Sequence, residues 1–258
     1  MKKRITNVLL GIIPLVLIVV LWWYATNYTN TPNAVLPKIS SVISTFKDIV
    51  KSGQLKTDLL ASLESVLKGY LVAVLFGVLL GALMGMFKPV KAILQPTVTC
   101  IRQIPMIAWM PLIILWCGIG QLSKVVLIVV AATFPILVNT QNGIETTPSS
   151  YIEVSKLYKL GVIQTFFRVY LPHALPNILV GLKLGLSVSW MAVVGAELIA
   201  STAGIGYRMS MARTLMQSAV LISCIVVVGL IGIIMDKLIG IIFRQLTPWE
   251  KAGTSAQK

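Results

Sequence analysis

Charge is what this chain has least of. Charged side chains make up 12% of its 258 residues, against about 25% in a soluble domain. Acids are the scarcest: 8 Asp and Glu stand against 22 Lys and Arg. Histidine occurs once, as His173 between Pro172 and Pro176, where a capping or hydrogen-bonding role fits better than catalysis. No acids and histidines cluster at metal-ligand spacing. No G-x-x-x-x-G-K-[ST] phosphate loop is present, and no serine or cysteine nucleophile has a base nearby in sequence. Cys100, Cys117 and Cys224 fall in or beside apolar runs without ligand spacing, which reads as free, buried thiols. A signal-peptide cleavage site is also missing. The first apolar run is followed instead by Trp22-Trp23-Tyr24, an interfacial anchor, so an uncleaved first span is expected.

Apolar residues are what is there, at 57% of the chain, in long continuous runs. Continuous rather than alternating runs predict helices that cross a bilayer, where backbone groups must be satisfied within the helix. The fold class is all-α, a polytopic helix bundle. Six spans fit: about 7–25, 64–87, 99–118, 122–140, 175–198 and 219–242. The net charge of +14 lies mostly between or beside these runs, which points to lipid headgroups and topology rather than nucleic acid. A cytoplasmic N-terminus places the larger basic share inside: Lys2, Lys3, Arg4, Lys88, Lys91, Arg102, Lys156, Lys159, Arg168, Arg244, Lys251 and Lys258. The outer set is Lys38, Lys47, Lys51, Lys56, Lys124, Arg208 and Arg213. One membrane domain is expected over 1–258. It comprises an N-terminal part (1–60), a core bundle (61–245) with a cytoplasmic loop over 145–172, and a cytoplasmic tail (246–258).

Local patterns add detail. Val42, Ile43, Phe46, Ile49 and Val50 recur at helical spacing, predicting a short amphipathic helix on the outer surface. Gly77, Gly81 and Gly85 share one face of the second span, and Gly181 and Gly185 repeat the device in the fifth, so close helix packing is expected at both. Pro96, Pro105 and Pro111 make the third span irregular. Lys183 either snorkels or pairs with Glu145. Glu197 has Arg208 or Arg213 as prospective partners, and Asp236 and Lys237 lie within snorkelling reach of the inner end. Ser187, Ser189 and Trp190 offer polar groups near midspan. With Pro105, Pro111 and Glu197 they form the candidate translocation pathway.

The segment between the fourth and fifth spans carries more pattern than a connection needs. Ser150 with Glu153 three residues on reads as a capping box. The helix is expected to run to about Leu160, with Gly161 as its left-handed terminator. A second helix, VIQTFFRVY, is expected to stop at Leu171-Pro172, and Pro176 opens the next span. Val154, Leu157, Tyr158 and Val162 form an apolar stripe, suited either to the chain's own bundle or to a groove in a partner.

Glu153, Gly161 and Leu171-Pro172 match the spacing of the EAA loop of ABC importer permeases, and Val154, Ser155 and Tyr170 depart from it. The segments IRQIPMIAWMPLIILWCGIG, FPILVNTQNGI and LPNILVGLKLGLSVSWMAVVGAELIASTAGIGY, with Asp236 and Trp249, resemble the aliphatic-sulfonate, taurine and nitrate branch over about residues 35–250. The resemblance implies a type I importer permease fold, similar to the methionine permease. It implies a pair of permeases, expected identical, with two ATPase subunits that bind ATP and Mg²⁺. A periplasmic or lipid-anchored binding protein would deliver a small anionic solute across a prokaryotic cell membrane. Tyr151 to Gly161 would be the coupling helix. The resemblance makes Glu153, Val154, Leu157, Tyr158, Gly161, Leu171 and Pro172 the docking residues, with no catalytic residue, cofactor or metal of the chain's own. Another nutrient, such as a vitamin or pyrimidine precursor, is the alternative cargo. A stand-alone secondary transporter is the alternative class; it calls for midspan coupling groups and inverted repeats, and neither stands out.

Overall fold

A computed structural model describes residues 2–29 and 31–246, with side-chain surroundings from residue 13 onward except at 15, 244 and 246. The tail expected at 246–258, with Trp249, lies almost wholly outside the described residues, as do the side chains of Lys2, Lys3, Arg4 and Arg244.

The described residues form helices and turns. In chain order these are α1 (Lys2–Tyr28), α2 (Ile39–Lys51), α3 (Gln54–Met86), α4 (Lys88–Arg102), a 3₁₀ turn (Met106–Trp109) and α5 (Met110–Cys117). There follow α6 (Gln121–Glu145), α7 (Ser149–Leu157), α8 (Val162–Thr165), a π-helical turn (Phe166–Tyr170), α9 (Leu171–Ile199), α10 (Ile205–Thr214) and α11 (Ser218–Leu246). Four stretches are long and apolar enough to cross a bilayer: Gln54–Met86, Gln121–Glu145, Val162–Ile199 and Ser218–Phe243. They coincide with four of the expected spans, and α1 covers the first.

The expected span at 99–118 is not a straight crossing. Lys88–Arg102 and Met106–Cys117 meet at 92°. Pro105 sits at the corner with φ −55° and ψ 133°. It has no N–H to continue a helix, and it disfavours helical torsions at Ile104.

The bundle is built around α6, which packs against α3 on one side and α9 on the other. The glycine spacing explains the closeness. A Cβ at Gly77 would lie 2.8 Å from Ile136 Cβ, at Gly81 2.6 Å from the Leu137 carbonyl, and at Gly85 2.8 Å from Ile144 Cβ. From the other side, Gly181 and Gly185 also press on Ile136. Ile136 is fully buried between the three helices. Without a hydrophobic force between helices in lipid, this shape match and its dispersion contacts hold the bundle together. Gly69 against Ile128 extends the seam by two turns.

The amphipathic helix appears as α2. It buries Val42 and Ile49 and leaves Ile43 and Val50 exposed. It rests on α3 and α11 rather than on the membrane surface alone. Of the three free thiols only Cys224 is buried, while Cys100 is exposed and Cys117 intermediate, so the expectation of three buried thiols does not hold. Two ends of the bundle can be distinguished. The α7 end holds Met86, Glu145 and the loop over 145–172; the α10 end holds Gln54, Gln121 and Ile199.

Candidate functional site

At the α7 end, the loop over 145–172 stands on a buried footing. Ile144, Ala174 and Ile178 pack with Ala82, and Phe166, Tyr170 and Leu171 close around them. A Cβ at Gly143 would lie 2.8 Å from Asn177 Cβ, so α6 and the start of α9 are in contact just below the loop. Lys91 closes this end with an ion pair to Glu145 at 2.7 Å, which takes the partner foreseen for Lys183.

On this base α7 presents an apolar face outward. Val154, Leu157, Tyr158 and Val162 are all exposed, Leu157 at 80% and Tyr158 at 77%. Tyr151 and Glu153 stand beside them, also exposed. Ser155 is buried at 3%, its Oγ donating to the Ile152 carbonyl at 2.7 Å. A small residue is required there because that face of α7 lies inward. Leu171 is half-buried under the loop and Pro172 is exposed.

The local chemistry differs from the sequence reading in three ways. Pro148, not Ser150, occupies the N-cap, and no side-chain cap forms. Its φ of −57° and ψ of 137° already lead into the helix, which leaves Ser150 inside the first turn. The helix ends at Leu157. The Leu160 N–H bonds the Ser155 carbonyl at 3.0 Å and the Lys159 N–H bonds the Lys156 carbonyl at 2.9 Å. This is the Schellman pattern, and its left-handed position falls on Lys159 with φ 52°. Gly161 is extended instead, with φ −68° and ψ 165°, and caps α8. Its N–H bonds Gln164 Oε1 at 3.3 Å. Third, Leu171-Pro172 does not stop the chain. The π turn over Phe166–Tyr170 runs straight into α9, so Val162–Ile199 is one helix of 38 residues. Pro172 falls in the first turn of α9, where the wider turn before it absorbs the missing donor.

The candidate pathway residues scatter. Ser189 is fully buried, its Oγ bonding the Gly185 carbonyl at 2.8 Å. Trp190 is buried, its Nε1 donating to the Val228 carbonyl at 3.0 Å. Only Ser187 of that group is open. Pro105 lines a cavity of about 590 Å³ with Trp109, Phe134, Asn139 and Leu184, and Pro111 is exposed at the start of α5.

Glu197 serves another purpose. It is 1% exposed at the α10 end. Ser62 Oγ lies 2.9 and 2.8 Å from its two oxygens, the Gly206 N–H donates at 3.0 Å, and Lys124 Nζ is 3.6 Å away. Ser62 also accepts the Ile205 N–H at 3.0 Å. Gly204, at φ 113°, lies so close that a Cβ there would come within 2.1 Å of Glu197 Oε1. This knot ties α3, α6, α9 and α10 together. Arg208, one of the two partners foreseen, pairs with Asp58 and with Gln54 instead. Lys124, assigned to the outer loop, is 3% exposed within α6. The signal for the pair was two lone opposite charges at matching ends of neighbouring spans. Lys183 pairs with Asp236 on α11 at 2.9 Å.

Comparison with known proteins fits this architecture. Residues 73–248 match the model of the binding-protein-dependent transport system inner membrane component. The taurine transport system permease protein of Escherichia coli is 32% identical over 248 residues, covering 94% of this chain and 90% of that protein. A protein named as an aliphatic sulfonates transport permease in Bacillus subtilis is 32% identical over 242 residues, covering 94% and 88%. The nitrate import permease protein of Leptolyngbya laminosa is 33% identical over 193 residues, covering 75% and 69%. Among solved structures, an amino acid ABC transporter with histidines superposes with a TM-score of 0.63 at 18% identity, covering 78% of this chain and 98% of that one. The inward-facing MetNI methionine ABC transporter gives 0.60 at 20% identity, covering 75% and 94%. Both share the fold. The chain belongs to the binding-protein-dependent transport system inner membrane component family and is the non-catalytic permease subunit of an ABC importer, a membrane component that works with ATPase and binding-protein partners.

Proposed function

We propose that two copies of this permease, identical to each other, enclose the path of a small anion and that each copy docks one ATPase subunit through α7 and the turn after it. The solute is an alkanesulfonate, taurine or nitrate, in keeping with the relatives' names. ATP and Mg²⁺ belong to the ATPase subunits. The α7 end and both termini face the cytoplasm, and the balance of Lys and Arg along the chain supports that orientation.

The observation that carries the docking reading is the outward apolar face formed by Val154 and Leu157 on α7, Tyr158 at its end and Val162 at the start of α8. A short amphipathic helix with such anchors suits a groove in a partner. Glu153 and Gly161 flank the face, and Leu171 and Pro172 fix its mounting. Because the π turn continues into α9 without a break, a push at Val162, just past the turn after α7, passes along a 38-residue helix.

The test is co-purification of the ATPase with Leu157→Asp/Tyr158→Asp at matched membrane abundance. Burying each anchor is worth roughly 1.5–3 kcal/mol, so recovery of ATPase should fall by about tenfold or more. Undiminished recovery overturns the docking reading. For the solute, competition of uptake by alkanesulfonates, taurine and nitrate decides; an importer indifferent to all three carries another class of cargo.

A further inference from the structure

Lys183 on α9 and Asp236 on α11 form an ion pair on the open side of two membrane spans, with side chains 41% and 48% exposed. At a rise of 1.5 Å per residue, Lys183 lies about 24 Å from the Ile199 end of α9 and Asp236 about 27 Å from the Ser218 end of α11, so the two share one depth. Charges within a span are costly against hydrocarbon and are found facing protein or a water-filled cavity. This depth is near the α7 end of a ~30 Å hydrocarbon core, within snorkelling reach of the interface, and the pair opens on an adjoining cavity.

Beside the pair, between α9 and α11, is a cavity of about 460 Å³. Asp236 and Lys237 stand in its wall, and Lys183 reaches Asp236 from the adjoining turn. Two ammonium groups against one carboxylate leave an excess of one positive charge. Ser187, one turn beyond Lys183, also lines the wall, its Oγ donating to the Lys183 carbonyl at 3.2 Å. The rest of the wall is apolar, with Leu186, Met191 and Ile233. Glycines keep it open: a Cβ at Gly229 would meet nothing within 4 Å, and one at Gly232 only the Trp190 ring, at 3.4 Å. That ring is fixed by its bond to the Val228 carbonyl. A charged rim and an apolar body select a ligand with one anionic head and a short alkyl part.

We propose that this cavity is a transit subsite for a small alkyl monoanion. Lys183 and Lys237 hold the head group, Leu186, Met191 and Ile233 accommodate the alkyl part, and Asp236 aims the Lys183 ammonium while keeping its grip exchangeable. This rests on the anionic-solute reading above and assigns it to particular side chains.

The experiment is uptake of ethanesulfonate by the complete importer, with its ATPase and binding protein, in vesicles of zwitterionic lipid and in vesicles containing anionic lipid. A hydrogen bond to a charged group is worth about 1.5–3 kcal/mol, so Lys183→Met should lower uptake about 10- to 100-fold at equal recovery of the complex. Lys183→Arg should retain more uptake than Lys183→Met, because it keeps the positive charge at that position. Lys183→Met/Asp236→Asn should remain as defective as Lys183→Met, because the head group still lacks its cation; recovery in that double variant means the pair is only structural and overturns the proposal. Gly229→Leu, which fills the cavity from an open position, should also block uptake, and it decides the matter if Lys183→Met fails to assemble. A defect confined to vesicles with anionic lipid identifies a lipid headgroup as occupant and overturns the site. Wild-type import that survives both Lys183→Met and Gly229→Leu overturns the site alone. A wild-type importer that carries no ethanesulfonate overturns the anionic-solute reading and the site with it.

Discussion

Lys159 occupies the left-handed position at the end of α7 that glycine usually fills, while Gly161 two residues later is in an extended conformation open to any residue. Left-handed backbone costs an L-residue roughly 1–2 kcal/mol. Lys159→Gly should therefore firm the end of α7, read as slower proteolysis of the loop in the purified permease. Gly161→Ala should leave membrane abundance unchanged, since a Cβ there meets nothing within 4 Å. A fall in abundance would mean that Gly161 is a folding requirement after all. Buried charge gives a second prediction at this scale. Removing one member of a buried pair costs about 3–5 kcal/mol because the other is left uncompensated. Glu197→Gln should sharply lower the thermal stability of the detergent-solubilised permease, and Lys124→Met/Glu197→Gln should regain part of the loss. Equal losses in single and double variants would show that the Ser62 and Gly206 bonds, not the charge pair, hold the knot.

Helices in this bundle are set by close approach. The seam between α3 and α6 has no room for a side chain at Gly77, Gly81 or Gly85. A leucine at Gly81 must push the Leu137 backbone away, and overpacking of this kind costs about 1–3 kcal/mol or more. Gly81→Leu should reduce folded yield and unfolding temperature, whereas Gly240→Leu, where a Cβ meets open space, should have little effect. Similar yields for the two would remove the seam as the organising contact. The corner between α4 and α5 belongs to the same scale. The prolines were visible in the sequence, but a run of apolar residues of spanning length also fits a straight crossing. The 92° turn follows from which side of Pro105 finds packing partners, with Met106, Met110 and Ile113 against Leu127 and Ala196.

The whole chain leaves large apolar areas of α3, α9 and α11 uncovered, including Leu75, Leu184 and Ile234. Lipid covers such surfaces without difficulty, and the open Lys183–Asp236 pair lies toward the α7 end of the same side. The second permease proposed above would cover part of this surface, and native mass spectrometry of the assembled importer should give two permeases to two ATPases. A single permease per complex would contradict this. Membership of the importer family also removes the stand-alone secondary transporter considered from the sequence. For function, then, the outward face of α7 and the α9–α11 cavity are the two places proposed for docking and for cargo, and each has its own test.

The sequence by itself determined the all-α class, the positions of four long spans, the glycine seam, the amphipathic α2 and the apolar stripe at 154–162, though not that the stripe faces outward. Each depends on periodicity or composition along one helix, and helical geometry converts these directly into faces. It did not determine the partners of its few charges, the ends of α7, the passage through Pro172 or the corner at Pro105. Glu197 meets Ser62 and Lys124 because three helices converge at one end of the bundle. Lys183 meets Asp236, not Glu145, because α11 returns beside α9 and Lys91 already occupies Glu145. Those choices compare contacts between residues far apart in the chain, and only the tertiary packing decides which opposite charge is nearest and how much water remains between them.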